Sequence, residues 1–323
     1  MADALGVLSK MGYSALGAWG SAYTASAAIM PFLNESLTSK FDILENPSLT
    51  GYGAQTPGDQ GVETIKGSTE HLLNYNSTDV FMALVMGGSA GGVLTVVDDR
   101  SLAAWTANKY YLLEFDKQVK RFRFWAALAG KFTISGAKNS YVKVTFDWFA
   151  KNFDLVDTVF PTLAQPANIL VNFDDLVFRI GDQGDALSSG DALGIESFEV
   201  VFDRAYKDDD YASDATLPKQ PLEPVSGGWR ATELTIKLPR LNAANIGLPI
   251  WKDQNTALQA DLMFTGPTTY TKKIELPELR VDSGFEAPIS GPGPLTLDGK
   301  LKASRSSSGN PMYVGNEIRV TST

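Results

Sequence analysis

The sequence predicts a mainly β fold made of two repeated units, each with one short flanking helix. Three observations carry this. Segments with period-2 alternation recur along the chain, a well-capped helix is confined to one short stretch, and the element order of the first half returns in the second. The stretch 31–88 sets the pattern. Two strand-like pieces flank a Gly-, Pro- and Gln-rich excursion, a strand opening at Gly61 follows, and Ser77-Thr78-Asp79 opens a helix.

Taken in order, Met11 to Leu33 carries no charge and is rich in Gly, Ser and Ala, with Tyr13, Trp19 and Tyr23 scattered through it. Ala25-Ser26-Ala27 has the small residues of a signal-peptidase site. The segment lacks a Leu-rich core, however, and Asp3 offsets Lys10 ahead of it, so a packed N-terminal arm is expected. Val80 to Val97 is also uncharged, but Gly87, Gly88, Gly91 and Gly92 make it a helix end and a turn, and no membrane segment is expected. The helix itself is expected at Asp79 to Met86, with N-cap candidates Asn76 to Asp79 and a stop at Gly87-Gly88. A helix this short cannot stand alone, so it must pack across a sheet or a barrel mouth.

Strands follow at Tyr110–Phe115 and Val119–Trp125, the latter continuing through AALAGKFTIS as a bent strand or a pair joined near Ala129-Gly130. Tyr141–Trp148 alternates most cleanly, with Val142, Val144, Phe146 and Trp148 on one face. Pro161 and Pro166 then interrupt the stretch Lys151 to Asn168. Strands resume at Leu176–Ile180, Ile195–Phe202, Arg230–Leu238, Leu258–Phe264, Lys272–Val281 and Leu295–Leu301. Asn242 to Trp251 occupies the second helix position, although Gly247 and Pro249 weaken it. By element order and spacing, ETIKGSTEHLLNY matches RATELTIKLPRLN, YYLLEFD matches LQADLMF, and YVKVTFDWF matches LTLDGKLKA. Likewise SKFDILENPSLTG matches ALGIESFEVVFDR, and VKRFRFWAALAGKFTIS matches TKKIELPELRVDSGF. The expected organisation is an arm at 1–33, a β domain at 34–155, a linker at 156–168, a second β domain at 169–304 and a C-terminal strand or tail at 305–323.

The chemistry is sparse. The 323 residues carry a formal charge of −9, against the cationic surface that phosphate binding needs. With no cysteine there is no disulfide, thiolate metal site or cysteine nucleophile, and His71 is the only histidine. His71 falls on a strand and is expected to be structural or surface. Asp182, Asp185 and Asp191 lack calcium-loop spacing, Asp208-Asp209-Asp210 suits a solvated loop, and Gly87 to Gly92 lacks the Lys-Ser/Thr of a phosphate loop. Lys120, Arg121, Arg123 and Trp125 imitate a single-strand-binding face, but the acidic remainder favours a strand pairing its cations with carboxylates of a neighbouring subunit. No catalytic, cofactor-binding or metal-ligating residue is assigned, and no cofactor.

The arm GYSALGAWGSAYTASAAIMPF, the ENPSLTGYG loop, the KGSTEHLLNYNSTDVFMAL strand-to-helix unit and the basic-aromatic strand KRFRFWAALAGKFTIS together resemble the major tail tube proteins of long-tailed bacteriophages. The resemblance is strongest from Trp19 to Phe149. It implies tail-tube-like β-sandwich or half-barrel units whose inner strands close a ring-shaped β-barrel, with rings stacked into a hollow tube. The tube conducts DNA through an acid-dominated lumen without binding it. It implies a virion protein assembled in the host cytoplasm whose partners are itself, neighbouring rings, and tape-measure and tail-tip or terminator proteins. The usual ring holds six tube domains, so two per chain would give three chains in a pseudo-sixfold ring, and one would give six. Inter-subunit and inter-ring contacts are then expected at Trp19, Tyr23, Phe32, Pro47, Leu49, Tyr52, Gln55 and Pro57. The competing readings are a carbohydrate-binding or adhesin β-sandwich, a glycan-active enzyme with paired carboxylates, and another virion component such as a tail terminator or capsid decoration protein.

Overall fold

The computed structural model describes residues 8–21, 25–44, 59–97, 108–157, 159–207, 221–241, 245, 247–286, 295–305 and 316–323. The first half runs β1 (Lys10–Leu16), β2 (Ala28–Ile29), β3 (Asn34–Glu35), β4 (Thr38–Leu44), β5 (Asp59–Leu72), α1 (Asp79–Met86), β6 (Gly87–Ala90), β7 (Val93–Val96), β8 (Tyr110–Asp116), β9 (Arg121–Ala137), β10 (Lys143–Phe149) and β11 (Asn152–Val156). The second half runs β12 (Leu176–Asp182), β13 (Ser197–Asp203), β14 (Tyr206–Lys207), β15 (Val225–Ser226), β16 (Ala231–Leu238), α2 (Gly247–Gln254), β17 (Leu258–Thr265), β18 (Thr271–Gly284), β19 (Leu297–Ala303) and β20 (Arg319–Ser322). The fold is mainly β, as the alternation predicts.

One long antiparallel ladder runs β4–β5–β10–β9–β13–β16–β19–β18, with β3 beside β4 on the same edge of β5. Two shorter ladders accompany it, β2–β1–β8–β9–β11 and β12–β17–β18–β20–β7–β6. Strands β9 and β18 serve in both kinds of ladder. The first half of β9 lies between β8 and β11, and its second half between β10 and β13. The change of ladder coincides with a register shift opposite Tyr111 and Leu113 and with Ala126 at φ 50°. Such bulges bend a strand and increase its twist. The sequence placed a bend or join near Ala129-Gly130; the strand is continuous and bulges there, where Asp147 opposes Lys131 and Trp148 opposes Ala129, and it is irregular a second time at Ala126.

Helix α1 covers Asp79–Met86 as the capping pattern predicts, and Gly87 ends it in the left-handed region at φ 89°. The N-cap differs: the Thr78 side chain makes no capping bond and donates instead to the Asn74 carbonyl at 3.0 Å. Helix α2 contains both Gly247 and Pro249, because a proline in the first turn removes an N–H that has no intrahelical acceptor. Strand β11 falls inside the proline-bearing stretch, ahead of its prolines, and stacks Phe153 on Phe124 at 5.0 Å between centroids.

Phe81 of α1 joins the layers. Its ring lies 5.1 Å from Tyr13 and 5.8 Å from Tyr111 on one side, and 5.5 Å from Phe146 and 5.1 Å from Trp148 on the other. All residues from Phe81 to Met86 are buried. The core continues into the second half, where Phe132 meets Phe202 at 5.5 Å and Phe198 meets Phe264 at 5.9 Å.

Three buried polar groups brace this core. Arg204, fully buried beyond the end of β13, donates to the carbonyls of Val85 and Met86 at the end of α1 and to that of Val97 at 2.9 Å. Lys272 of β18, equally buried, pairs with Asp79 at the start of α1, and its burial lowers its pKa against the opposing pull of that carboxylate. His71 is wired between Pro31 and Thr69. A carbonyl can only accept, so Nδ1 carries the proton and donates to Pro31 O at 2.7 Å, leaving Nε2 to accept from Thr69 Oγ1 at 2.8 Å. Thr69 Oγ1 in turn accepts from Trp148 Nε1 at 2.9 Å. The histidine is structural, as expected, and wholly interior.

Two outcomes follow. Arg204→Met leaves the α1 carbonyls without their charged donor and is expected to cost about 3–5 kcal/mol, read as a fall in thermal midpoint that Arg204→Lys does not restore, since an ammonium cannot fork across three carbonyls. Burial lowers the His71 pKa from 6.5 to about 4. The unfolded chain therefore takes up a proton below pH 6.5 that the folded one refuses until about pH 4. The stability this group contributes is present above pH 6.5 and is lost as pH falls through about 4. The loss is about 3 kcal/mol. Denaturant titrations between pH 7 and 4 are expected to show that slope in the wild type and a shallower one in His71→Gln.

Candidate assembly surfaces

The outer side of each short ladder holds an ion cluster. On β8, Glu114 is fully buried and accepts from Arg123 Nε at 2.7 Å, from Arg121 at 3.3 Å and from the backbone N–H of Ser26 at 3.2 Å. The Ser26 hydroxyl donates to the same carboxylate. Buried ions survive only when paired and hydrogen-bonded, and the N-terminal arm supplies the cover. On β17, Asp261 holds Arg179 through two bonds of 2.8 and 2.6 Å and Lys273 at 3.2 Å, and Lys273 also reaches Glu275. The bidentate Asp261 fork raises the pKa of Arg179. The sequence expected the cations of the basic-aromatic strand to meet a neighbouring subunit. Arg121 and Arg123 instead meet Glu114 of their own chain, and Lys120 meets Asp157 at 3.2 Å.

One face of the long ladder packs on the core; the other is exposed and hollowed. Ser135, Lys143, Glu199, Thr235, Lys237 and Asp298 line a depression of about 530 Å³ there. Its charges alternate in sign and pair across strands: Lys143 with Glu70 at 2.9 Å, Lys131 with Asp147 at 3.6 Å, Lys300 with Glu233 at 2.7 Å. Opposite charges facing each other stabilise a sheet modestly and leave little net field.

Both ends of that ladder are edges. Among the described residues, β3 and β4 pair only with β5, and Ser283 and Gly284 of β18 pair only with β19. The β4 edge exposes large apolar side chains beside the charged Lys40 and Asp42. Phe41 is 43% exposed, Ile43 72% and Leu44 60%.

Of the contact residues that the sequence nominated, Trp19 is engaged within the chain. Its ring is 5.7 Å from Tyr110, and its Nε1 donates to Pro221 O at 3.4 Å. Beside it Glu223 accepts from Lys109 at 2.5 Å and from the Tyr110 hydroxyl, so that burial and this carboxylate both raise the pKa of Tyr110. Phe32 is half-buried, 5.7 Å from Phe115, on a groove of about 500 Å³ with Met11, Ile29 and Gln165. Tyr23, Pro47, Leu49, Tyr52, Gln55 and Pro57 lie outside the described residues. Sequence reasoning missed Phe41, Ile43 and the edge they form; the alternation of Lys40, Phe41, Asp42 and Ile43 was the available signal.

The dismissed constellations have structural roles. Asp191 accepts from the Ser188 backbone N–H at 2.7 Å and hydroxyl at 2.9 Å in a capping box, which lowers its pKa. Gly91-Gly92 turns the β6–β7 hairpin. Among the described residues no group of His, Asp or Glu is arranged to hold a metal ion, and no helix is long and apolar enough to cross a membrane.

No curated protein sequence matches the chain. A model of a family described as phage tail tube protein matches residues 6–304 of the 323, so the match takes in every strand but β20. Among the described residues, charges pair internally and the ladder ends are open, which fits a part that assembles. The chain belongs to the phage tail tube protein family, as a structural component of the virion tail that oligomerises into the tail tube.

Proposed function

We propose that the chain is a tandem of two equivalent tube units and that three copies close one pseudo-sixfold ring of the tube. The observation that carries this reading is a match of strand registers between the halves. In the first half neighbours run β4–β5–β10–β9–β8–β1; in the second they run β13–β16–β19–β18–β17–β12. The irregularities match too. The ladder shifts between Tyr111 and Leu113 in one half and between Leu258 and Ala260 in the other. It shifts again where Asp147 opposes Lys131 and Trp148 opposes Ala129, and where Lys300 opposes Ser283 and Leu301 opposes Val281. Glu114 opposes Arg123 as Asp261 opposes Glu275, so the two ion clusters occupy one position in the repeat. Bulges are specific features, and two halves sharing them at equivalent places argue for duplication over convergence.

The exposed hollow of the long ladder then lines the bore through which DNA passes. Its paired lysines and carboxylates make a neutral mosaic in place of the acid-dominated wall that the resemblance implied. Such a wall offers the duplex neither a cationic track nor strong repulsion. The arm and the loop 45–58, with Tyr23, Pro47, Leu49, Tyr52, Gln55 and Pro57, serve contacts between subunits and rings. Phe32 contributes from its groove, and Trp19 acts by seating the chain at Pro221. Tape-measure and tail-tip or terminator proteins are the remaining partners.

Electron microscopy of concentrated, aged protein is expected to reveal hollow rings whose rotational classes hold three chains. Six identical chains per ring would reject the tandem reading. Deleting Tyr52 to Gly58 is expected to block polymerisation while the circular dichroism and melting midpoint of the subunit stay unchanged; normal tubes from that variant would remove the loop from assembly.

A further inference from the structure

The joint inside the chain supplies a template for the joint between chains. The two halves meet where β9 pairs with β13, Lys131 opposite Asp203 and Thr133 opposite Val201. This joint is close-packed: Val200, Phe202 and Arg204 are fully buried.

The matched registers transfer each of these residues to a counterpart. Lys131 opposes Asp147 on β10 as Ser283 opposes Lys300 on β19, so Ser283 is the counterpart of Lys131. Next, Ser68 opposes Asp147 as Thr235 opposes Lys300, which aligns β5 with β16. On β5, Thr38 opposes Lys66; on β16, Val201 opposes Glu233. Thr38 is therefore the counterpart of Val201, and Lys40 that of Asp203. The alignment holds along the strand, since Glu35 opposes Thr69 as Phe198 opposes Ile236.

From this alignment we infer that the start of β4 in one copy pairs antiparallel with the end of β18 of another, with Lys40 opposite Ser283 and Thr38 opposite Phe285. This rests on the tandem reading above and deepens it by naming the joint. Among the described residues β4 pairs only with β5, and Ser283 and Gly284 pair only with β19; the residues opposed here, 38–40 and 283–285, are all described. The occupant is a second copy because each edge reproduces one side of a joint already formed in the molecule. The apolar side chains agree. Phe41 and Ile43 follow Lys40 as Arg204 and Tyr206 follow Asp203; inside the chain Arg204 is fully buried and Tyr206 partly buried, whereas Phe41 is 43% and Ile43 72% exposed. An apolar edge strand left in water invites pairing, and closing a ring removes it.

The chain has no cysteine, which makes the test clean. Residues directly opposite in antiparallel strands have Cα atoms about 4.5–5.5 Å apart, within disulfide range. Lys40 and Ser283 are exposed, and their counterparts Asp203 and Lys131 are only partly buried on the hollowed side of the ladder. Tubes of Lys40→Cys/Ser283→Cys, oxidised and run without reductant, are expected to give covalent species ending at three chains. Tubes of the displaced pair Thr38→Cys/Ser283→Cys should link at least tenfold less. Tubes that form with neither pair linked, or with the displaced pair linked preferentially, would overturn the joint and leave the tube role standing. A ladder running to six chains would support the joint and overturn the three-chain ring. As a second reading on the unmodified protein, amide exchange at 38–40 and 282–286 is expected to slow on going from free subunit to tube, and unchanged exchange there would overturn the joint without any substitution.

Discussion

The packing of α1 is the constraint on which the rest of the molecule depends. An eight-residue helix has too few internal hydrogen bonds to persist alone. Here it is held from both ends by the other half of the chain. Lys272 pairs with Asp79 at its start, and Arg204 takes the Val85 and Met86 carbonyls at its end. Both contacts agree with the helix dipole, an acid at the N-terminus and a cation at the C-terminus. Phe81 then has a fixed place between Tyr13 and Tyr111 on one ladder and Phe146 and Trp148 on the other. Removing the helix would separate the layers and strand two buried cations from the second half.

The same economy governs the charges. A chain of net charge −9 shows little of it on its hollowed face, because lysines there stand opposite carboxylates. Glu114, fully buried, is covered by Ser26 of the arm, and Asp261 is held by Arg179 and Lys273. Burial makes these pairs costly to break individually and so fixes how β8 and β17 sit in their ladders, a registry role for ion pairs. In the tandem reading the two clusters are matched with different residues: Arg123 stands where Glu275 does, and Asp154 where Arg319 does.

Much of this fold was legible in the sequence. The mainly β class, the limits of α1 and the strands from Tyr110 to Trp148 follow from short-range alternation and capping, which are local properties of the chain. In the tandem reading, the pairing of VKRFRFWAALAGKFTIS with TKKIELPELRVDSGF, and of ETIKGSTEHLLNY with RATELTIKLPRLN, agrees with the ladder registers. The pairing of SKFDILENPSLTG with ALGIESFEVVFDR does not; Thr38 aligns with Val201, because the bulge between Phe41 and Ile43 and the short β14 disguise the alternation. The site was less legible. Trp19 was chosen as an outward aromatic and turns to Tyr110 and Pro221, while Phe41 and Ile43 drew no notice in a segment of ordinary strand character.

The sequence by itself determined what kind of molecule this is: alternation demands half-buried strands, the absence of cysteine removes thiol chemistry and disulfides, and the ordered motifs carry the family. Only the tertiary structure decided which cations meet which carboxylates, that Arg204 and Lys272 of one half hold the helix of the other, and that among the described residues the long ladder ends in two open edges. The reason is physical. Alternation and capping act between residues a few positions apart, whereas an ion pair such as Lys272 with Asp79, or an edge left without a partner, exists only once distant segments have been brought together.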